Sequence, residues 1–68
     1  MDFAPHIEQQ GNEIIAKYNG NYEDISMYLV DAFMWLKINC FDYPETQRQR
    51  SELKQIERYI YSKMGWNL

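Results

Sequence analysis

The segment DISMYLVDAFMWLKINCF, residues 24–41, carries apolar side chains on nearly every side of a helix. At 3.6 residues per turn, one face collects a first apolar set: Ile25, Leu29, Ala32, Phe33, Leu36 and Cys40. About half a turn away, spacings of three and four collect a second apolar set: Met27, Val30, Met34, Ile38 and Phe41. A helix that is apolar nearly all round is central in its domain or is buried against a second chain.

Two further segments with a helical period flank this one, and the chain contains no strand pattern, which predicts an all-α protein. We predict three helices, at about residues 4–18, 22–41 and 44–64. The turn Asn19-Gly20 ends the first of them, and Pro44 begins the third. The predicted fold is a compact three-helix bundle forming one domain, residues 1–68, with the second helix as its hub.

Four features outside the apolar segment predict local geometry. Gly11 lies in the apolar stripe of the first helix, where we expect it to let another helix approach closely. Asn21 precedes two acidic residues and suits the N-cap of the second helix. We expect Trp66 to fold back on the core after a cap at Gly65. Residues 45–52 contain no large apolar side chain, so we expect those turns to lie in solvent.

One cysteine and one histidine among 68 residues limit the chemistry of the chain. A single cysteine forms no intrachain disulfide, and the ligands of a structural zinc site are too few. The sequence also lacks a Gly-rich phosphate loop and any plausible Ser-His-Asp or Cys-His arrangement. We therefore expect no enzyme activity, no metal, no cofactor and no small-molecule substrate.

The expected location is the cytoplasm. The chain does not open with a basic and then apolar signal peptide, and a single thiol fits a reducing compartment better than secretion. The apolar segment contains Asp31 and Lys37, whereas a membrane span needs about 20 mostly uncharged residues. We expect no membrane partner.

The net charge of −3 conceals an asymmetry along the chain. Residues 1–43 carry seven acidic and two basic residues, whereas residues 44–68 carry three acidic and five basic residues. Within one small domain, attraction between helices explains this most simply. The other explanation is that each region faces a partner of opposite charge.

The first functional hypothesis is a small non-enzymatic protein-binding module, an inhibitor or adaptor that docks on another protein. Small stand-alone chains of this kind are common among the accessory proteins of phages and mobile elements. The expected docking residues combine the second apolar set with an aromatic and three acids: Met27, Val30, Met34, Ile38, Phe41, Trp35, Glu23, Asp24 and Asp31. The partner would be a second copy, giving a homodimer, or a target whose surface is basic. Coverage of the second set by the other two helices remains the competing interpretation.

The second hypothesis is a dimeric DNA-binding transcriptional regulator. On the third helix, Arg50, Lys54 and Arg58 recur every four residues, and Gln47 extends the ridge towards the amino end. Such a ridge suits a phosphate backbone or a major groove. A solvated face paired to neighbouring glutamates explains it more simply, and the net acidity disfavours nucleic acid. A structural subunit of a larger assembly is the third possibility.

Overall fold

Three helices and no strand make up the part of the chain that the computed structural model describes, residues 3–39 and 44–66. The helices are α1 (Pro5–Lys17), α2 (Tyr22–Asn39) and α3 (Pro44–Met64). The predicted all-α three-helix bundle is confirmed, and the helix bounds agree to within a few residues. The predicted end of the second helix, with Cys40 and Phe41, lies outside the described residues.

The boundary between α1 and α2 follows from local backbone chemistry. Asn19 and Gly20 adopt positive φ angles of 54° and 69°, and the Gly20 N–H donates to the Ile15 carbonyl at 2.9 Å. This left-handed turn satisfies a carbonyl at the end of α1. The next helix is capped as predicted, because the Asn21 Oδ1 accepts a hydrogen bond of 3.0 Å from the Asp24 N–H.

Removal of the Asn21 cap is expected to destabilise the protein measurably. Asn21→Ala leaves an N–H group of the first turn of α2 without its acceptor, which costs about 0.5–2 kcal/mol. The shift is measured as a lower urea midpoint in circular dichroism. Asn21→Asp is the matched control, because it keeps an acceptor and should retain the wild-type midpoint. Equal midpoints for the alanine and aspartate variants would contradict the capping role.

The α3 helix lies between the other two. It packs extensively against α1 and also against α2, whereas α1 and α2 share few contacts. The sequence predicts that the second helix is the hub, and this is wrong, because α3 occupies that position in the structure. The physical reason is the core, in which the buried Ile56 and Ile60 of α3 join Ile7 of α1 and Leu29 of α2 in one cluster.

Gly11 allows the close approach of α1 and α3, as predicted. Gly11 is buried, and a Cβ atom there would lie 2.9 Å from the Tyr59 Cε2 and 3.5 Å from the Ile60 Cγ1. The Tyr59 ring is held from two other directions. Its hydroxyl donates to the Asn12 Oδ1 at 2.8 Å, and the Phe3 ring meets it edge to face at 5.4 Å. The α1–α3 contact is therefore both close and specific.

The sequence predicts the surroundings of α3 wrongly at its start and correctly at its end. At its start, Thr46 is buried, although the sequence predicts that residues 45–52 lie in solvent. A small side chain with one methyl group fits a packed position that a long polar side chain would avoid. At its end, Trp66 folds back as predicted, with its ring 4.8 Å from Tyr22 and 5.4 Å from Tyr61. These aromatic contacts join the start of α2 to the end of α3.

Candidate docking face and basic groove

All the large hydrophobic side chains that are exposed among the described residues belong to α2. They are five of the predicted docking residues and two tyrosines: Tyr22, Met27, Tyr28, Val30, Met34, Trp35 and Ile38. Elsewhere in the described chain, the large apolar side chains are buried or partly buried. One helix therefore carries the exposed apolar surface of this structure.

The arrangement follows from how α2 packs. Its first apolar set faces the protein, since Ile25, Leu29 and Leu36 are 0%, 2% and 7% exposed. Because α2 packs against α3 and makes few contacts with α1, nothing in the described chain covers its opposite side. There the second set is half exposed or more, from 51% at Met34 to 67% at Ile38.

We call Met27, Val30, Met34 and Ile38 the α2 outer face. Their spacings of three, four and four residues align them along the helix. The sequence leaves open whether another helix covers these residues, and the structure leaves them exposed. Phe41, the fifth member of the predicted seam, lies outside the described residues.

Carboxylates border the α2 outer face. Glu23 lies one turn before Met27, Asp31 lies one turn after it, and Asp24 lies beside them at the start of the helix. All three acids are exposed. In the described residues no cation lies within 4 Å of any of them, since the only ion-pair contact joins His6 to Glu52. The outer face is thus apolar along its centre and bordered by carboxylates towards the amino end of α2, whereas Lys37, three residues after Met34, borders it towards the carboxyl end.

Trp35 belongs to a different part of the surface. It is 58% exposed and borders an open groove of about 360 Å³ where α2 meets α3. Leu36, Leu53 and Ile56 line the same groove. Trp35 therefore extends the apolar surface of α2 towards α3 and does not lie on the outer face itself.

A second surface gathers three of the five basic residues of α3 into one open groove. Its volume is about 610 Å³, and it is lined by a phenylalanine from the start of the chain and six residues of α3: Phe3, Gln47, Arg50, Ser51, Lys54, Gln55 and Arg58. The groove contains all four residues of the nucleic-acid hypothesis. Sequence reasoning missed Phe3, and we call this surface the basic groove.

In the described part of the chain, none of the three glutamates of α3, Glu45, Glu52 and Glu57, lies within 4 Å of these cations. Glu52 lies 3.7 Å from His6 of α1, and Glu57 lies near Tyr61. The described structure therefore lacks the local ion pairs that would make the basic ridge an ordinary solvated face. A row of cations without carboxylate partners keeps its charge available to an anion.

Tyr61 belongs to an aromatic cluster with Tyr22 and Trp66. The pKa of the Tyr61 phenol is raised above its usual value, first by a hydrogen bond with Tyr22 and then by partial burial. The negative charge of Glu57 raises the same pKa further. Tyr61 therefore stays protonated at physiological pH and contributes to the cluster by packing.

Other kinds of site find no support in the described residues. No group of three or more His, Cys, Asp or Glu side chains is placed there to hold a metal ion. Among those residues, no helix combines the length and the apolar character needed to cross a bilayer.

Comparison with protein-family models, curated proteins and solved structures found no match for this chain. The function is therefore argued from the α2 outer face and the basic groove alone.

Proposed function

We propose that this protein is a small non-enzymatic binding module that docks on another protein through the α2 outer face. The observation that supports this is the concentration of exposed large hydrophobic side chains on one helix. Contiguous apolar surface of this kind is unfavourable in water and is typical of interaction sites. Met27 and Met34 also suit such a face, because unbranched thioether side chains adapt to an irregular partner.

The chemistry of the partner follows from the pattern on α2. Apolar residues at spacings of three and four are the anchors by which a helix enters a hydrophobic groove. The acids at the border, Glu23, Asp24 and Asp31, favour a groove whose rim carries lysine or arginine. The proposed partner is therefore a protein with an apolar groove and a basic rim.

An inhibitor or adaptor role fits this geometry. A helix that fills a partner's groove excludes whatever else that groove would bind, which is how an inhibitor acts. A chain with a second usable surface, such as the basic groove, can instead join two molecules, which is how an adaptor acts. Both roles need the α2 outer face to be free in the isolated protein.

The first test is whether Met34→Glu leaves the protein intact. Because the Met34 side chain is 51% exposed, we expect the variant to fold with a free energy of unfolding within about 0.5 kcal/mol of wild type. Light scattering over a concentration series should show that both proteins are monomers. A wild-type dimer that the substitution dissociates would place a second copy on the face and contradict a foreign partner. Unfolding of the variant would show that the face is core.

The second stage identifies the partner with the same variant. A partner captured from the native host must bind wild type, lose binding to Met34→Glu and keep binding to Lys54→Glu, which changes the charge of the basic groove. The purified complex should weaken as salt rises, because the acidic border of α2 contributes to it. A captured protein that binds Met34→Glu as tightly as wild type would exclude the α2 outer face as the site.

A further inference from the structure

The basic groove has properties that protein docking through α2 does not use. Three of its seven lining residues are cations, Arg50, Lys54 and Arg58, and none is a carboxylate. Its volume of about 610 Å³ falls within the range of roughly 300–1,000 Å³ that is typical of ligand sites. A positively charged groove of this size selects for an anion.

The three cations form a regular row. They recur every four residues of a straight helix, so that successive side chains are separated by about 6 Å along its axis. A single small anion would use one or two of them. A polymer whose negative charges repeat along an extended backbone can use all three, which favours a nucleic acid strand over a free phosphate.

The net charge of −3 does not prevent this. The carboxylates of α2 lie on another helix, and Glu52 and Glu57, which share α3 with the cations, do not line the groove. At physiological salt, charges more than about 8 Å apart are largely screened from one another. The sign of the charge at the groove, and not the net charge of the protein, therefore decides which ligand the groove attracts.

The remaining lining residues favour a single strand over a duplex. Phe3 is only partly buried and supplies an aromatic side chain on which a splayed base can stack. Gln47, Ser51 and Gln55 supply neutral donors and acceptors that suit base edges. A helix that reads duplex DNA must enter the major groove. Here Phe3 lies beside α3 on its basic side, which disfavours that entry.

We propose that the basic groove binds single-stranded nucleic acid, with Arg50, Lys54 and Arg58 on the phosphates and Phe3 against a base. The site is separate from the α2 outer face, so the two activities are independent. In this proposal a single strand lies in the groove, whereas the transcriptional-regulator hypothesis has α3 reading duplex DNA.

The test is fluorescence anisotropy of a short labelled oligothymidylate mixed with the full chain. Neutralising three phosphates predicts that the logarithm of the binding constant falls with the logarithm of salt concentration with a slope of about −2. Lys54→Glu should weaken binding by about tenfold or more at low salt and make the slope shallower by about one unit or less. Lys54 is exposed, so circular dichroism should show an intact fold.

Two matched variants distinguish the contribution of the basic groove to binding from that of the net charge and from that of the α2 outer face. Lys63→Glu makes the same charge change on an exposed residue of α3 outside the groove and should leave binding within about twofold of wild type. Met34→Glu should bind the oligonucleotide like wild type, even though it loses the protein partner.

Four results would overturn the proposal. The first is no binding at low salt, and the second is an equal loss in Lys54→Glu and Lys63→Glu. Tighter binding to a duplex of the same sequence would instead make α3 a duplex reader. Competition by polyglutamate as effective as that of unlabelled oligonucleotide would assign the groove to an acidic protein segment.

Discussion

Replacing Ile60 by alanine is expected to lower the free energy of unfolding by about 2–5 kcal/mol, whereas Ile38→Ala changes it by less than about 0.5 kcal/mol. The two substitutions remove the same atoms from different environments. Ile60 is fully buried in the cluster where the three helices meet, and Ile38 is 67% exposed on the α2 outer face. Urea unfolding followed by circular dichroism measures both.

The size of the Ile60 effect matters because a chain of this length has a small free energy of unfolding. At about 0.05–0.15 kcal/mol per residue, typical total stabilities for such a domain are roughly 3–10 kcal/mol. Ile60→Ala can therefore unfold much of the protein, and Ile60→Val, which should lose about 0.5–1.5 kcal/mol, keeps the comparison measurable. Similar losses at the two positions would mean that the α2 outer face is covered, which would contradict its role as a free docking face.

Gly11→Ala is expected to destabilise the protein by up to about 2 kcal/mol, although helix propensity alone predicts a gain of about 1 kcal/mol. Whether the substitution stabilises or destabilises the protein depends on Tyr59. The new methyl group would meet the Tyr59 ring, which is held by its hydrogen bond to Asn12 and by its contact with Phe3. Overpacking of this kind typically costs about 1–3 kcal/mol, more than the propensity gain.

Gln9→Ala is the control for Gly11→Ala. Gln9 lies on the exposed side of the same helix, so its replacement should change the unfolding free energy by less than about 0.5 kcal/mol. A Gly11→Ala variant as stable as wild type, or more stable, would show that the Tyr59 ring moves aside easily and that the α1–α3 contact is not close in solution.

The three helices could be predicted because their signals are local. Periodicity, the turn at Asn19 and Gly20, the cap at Asn21 and the proline at position 44 each act within a few residues. Whether another helix covers the second apolar set of α2 could not be predicted. Ile25 and Val30 are both aliphatic, and periodicity shows which residues share a face, not which helix covers it.

The position of α3 could not be predicted for a related reason. It is a strongly polar helix by composition, so the sequence analysis places the more apolar α2 at the centre. The structure instead depends on tertiary contacts that the sequence does not display. Gly11 admits the Tyr59 ring, and the tyrosine hydroxyl finds its partner in Asn12. A polar helix can thus hold the middle position when a few of its residues pack on both sides.

The residues of the basic groove could likewise be predicted from the sequence only in part. Gln47, Arg50, Lys54 and Arg58 could be grouped from sequence because they share one side of a single helix. Phe3 could not be added to them, because it comes from the opposite end of the sequence and reaches the groove only through folding. Its partial burial and its contact with Tyr59 are also tertiary facts.

The hydrogen bond between Tyr59 and Asn12 joins residues 47 positions apart, and this has a consequence for the folding pathway. Helical bundles fold fast when neighbouring helices pair first, because short loops close at a small entropic penalty. Here the closest pair is α1 with α3, and the whole of α2 lies in the loop between them. We therefore expect the rate-limiting encounter to be non-local, with α2 free to dock before or after it.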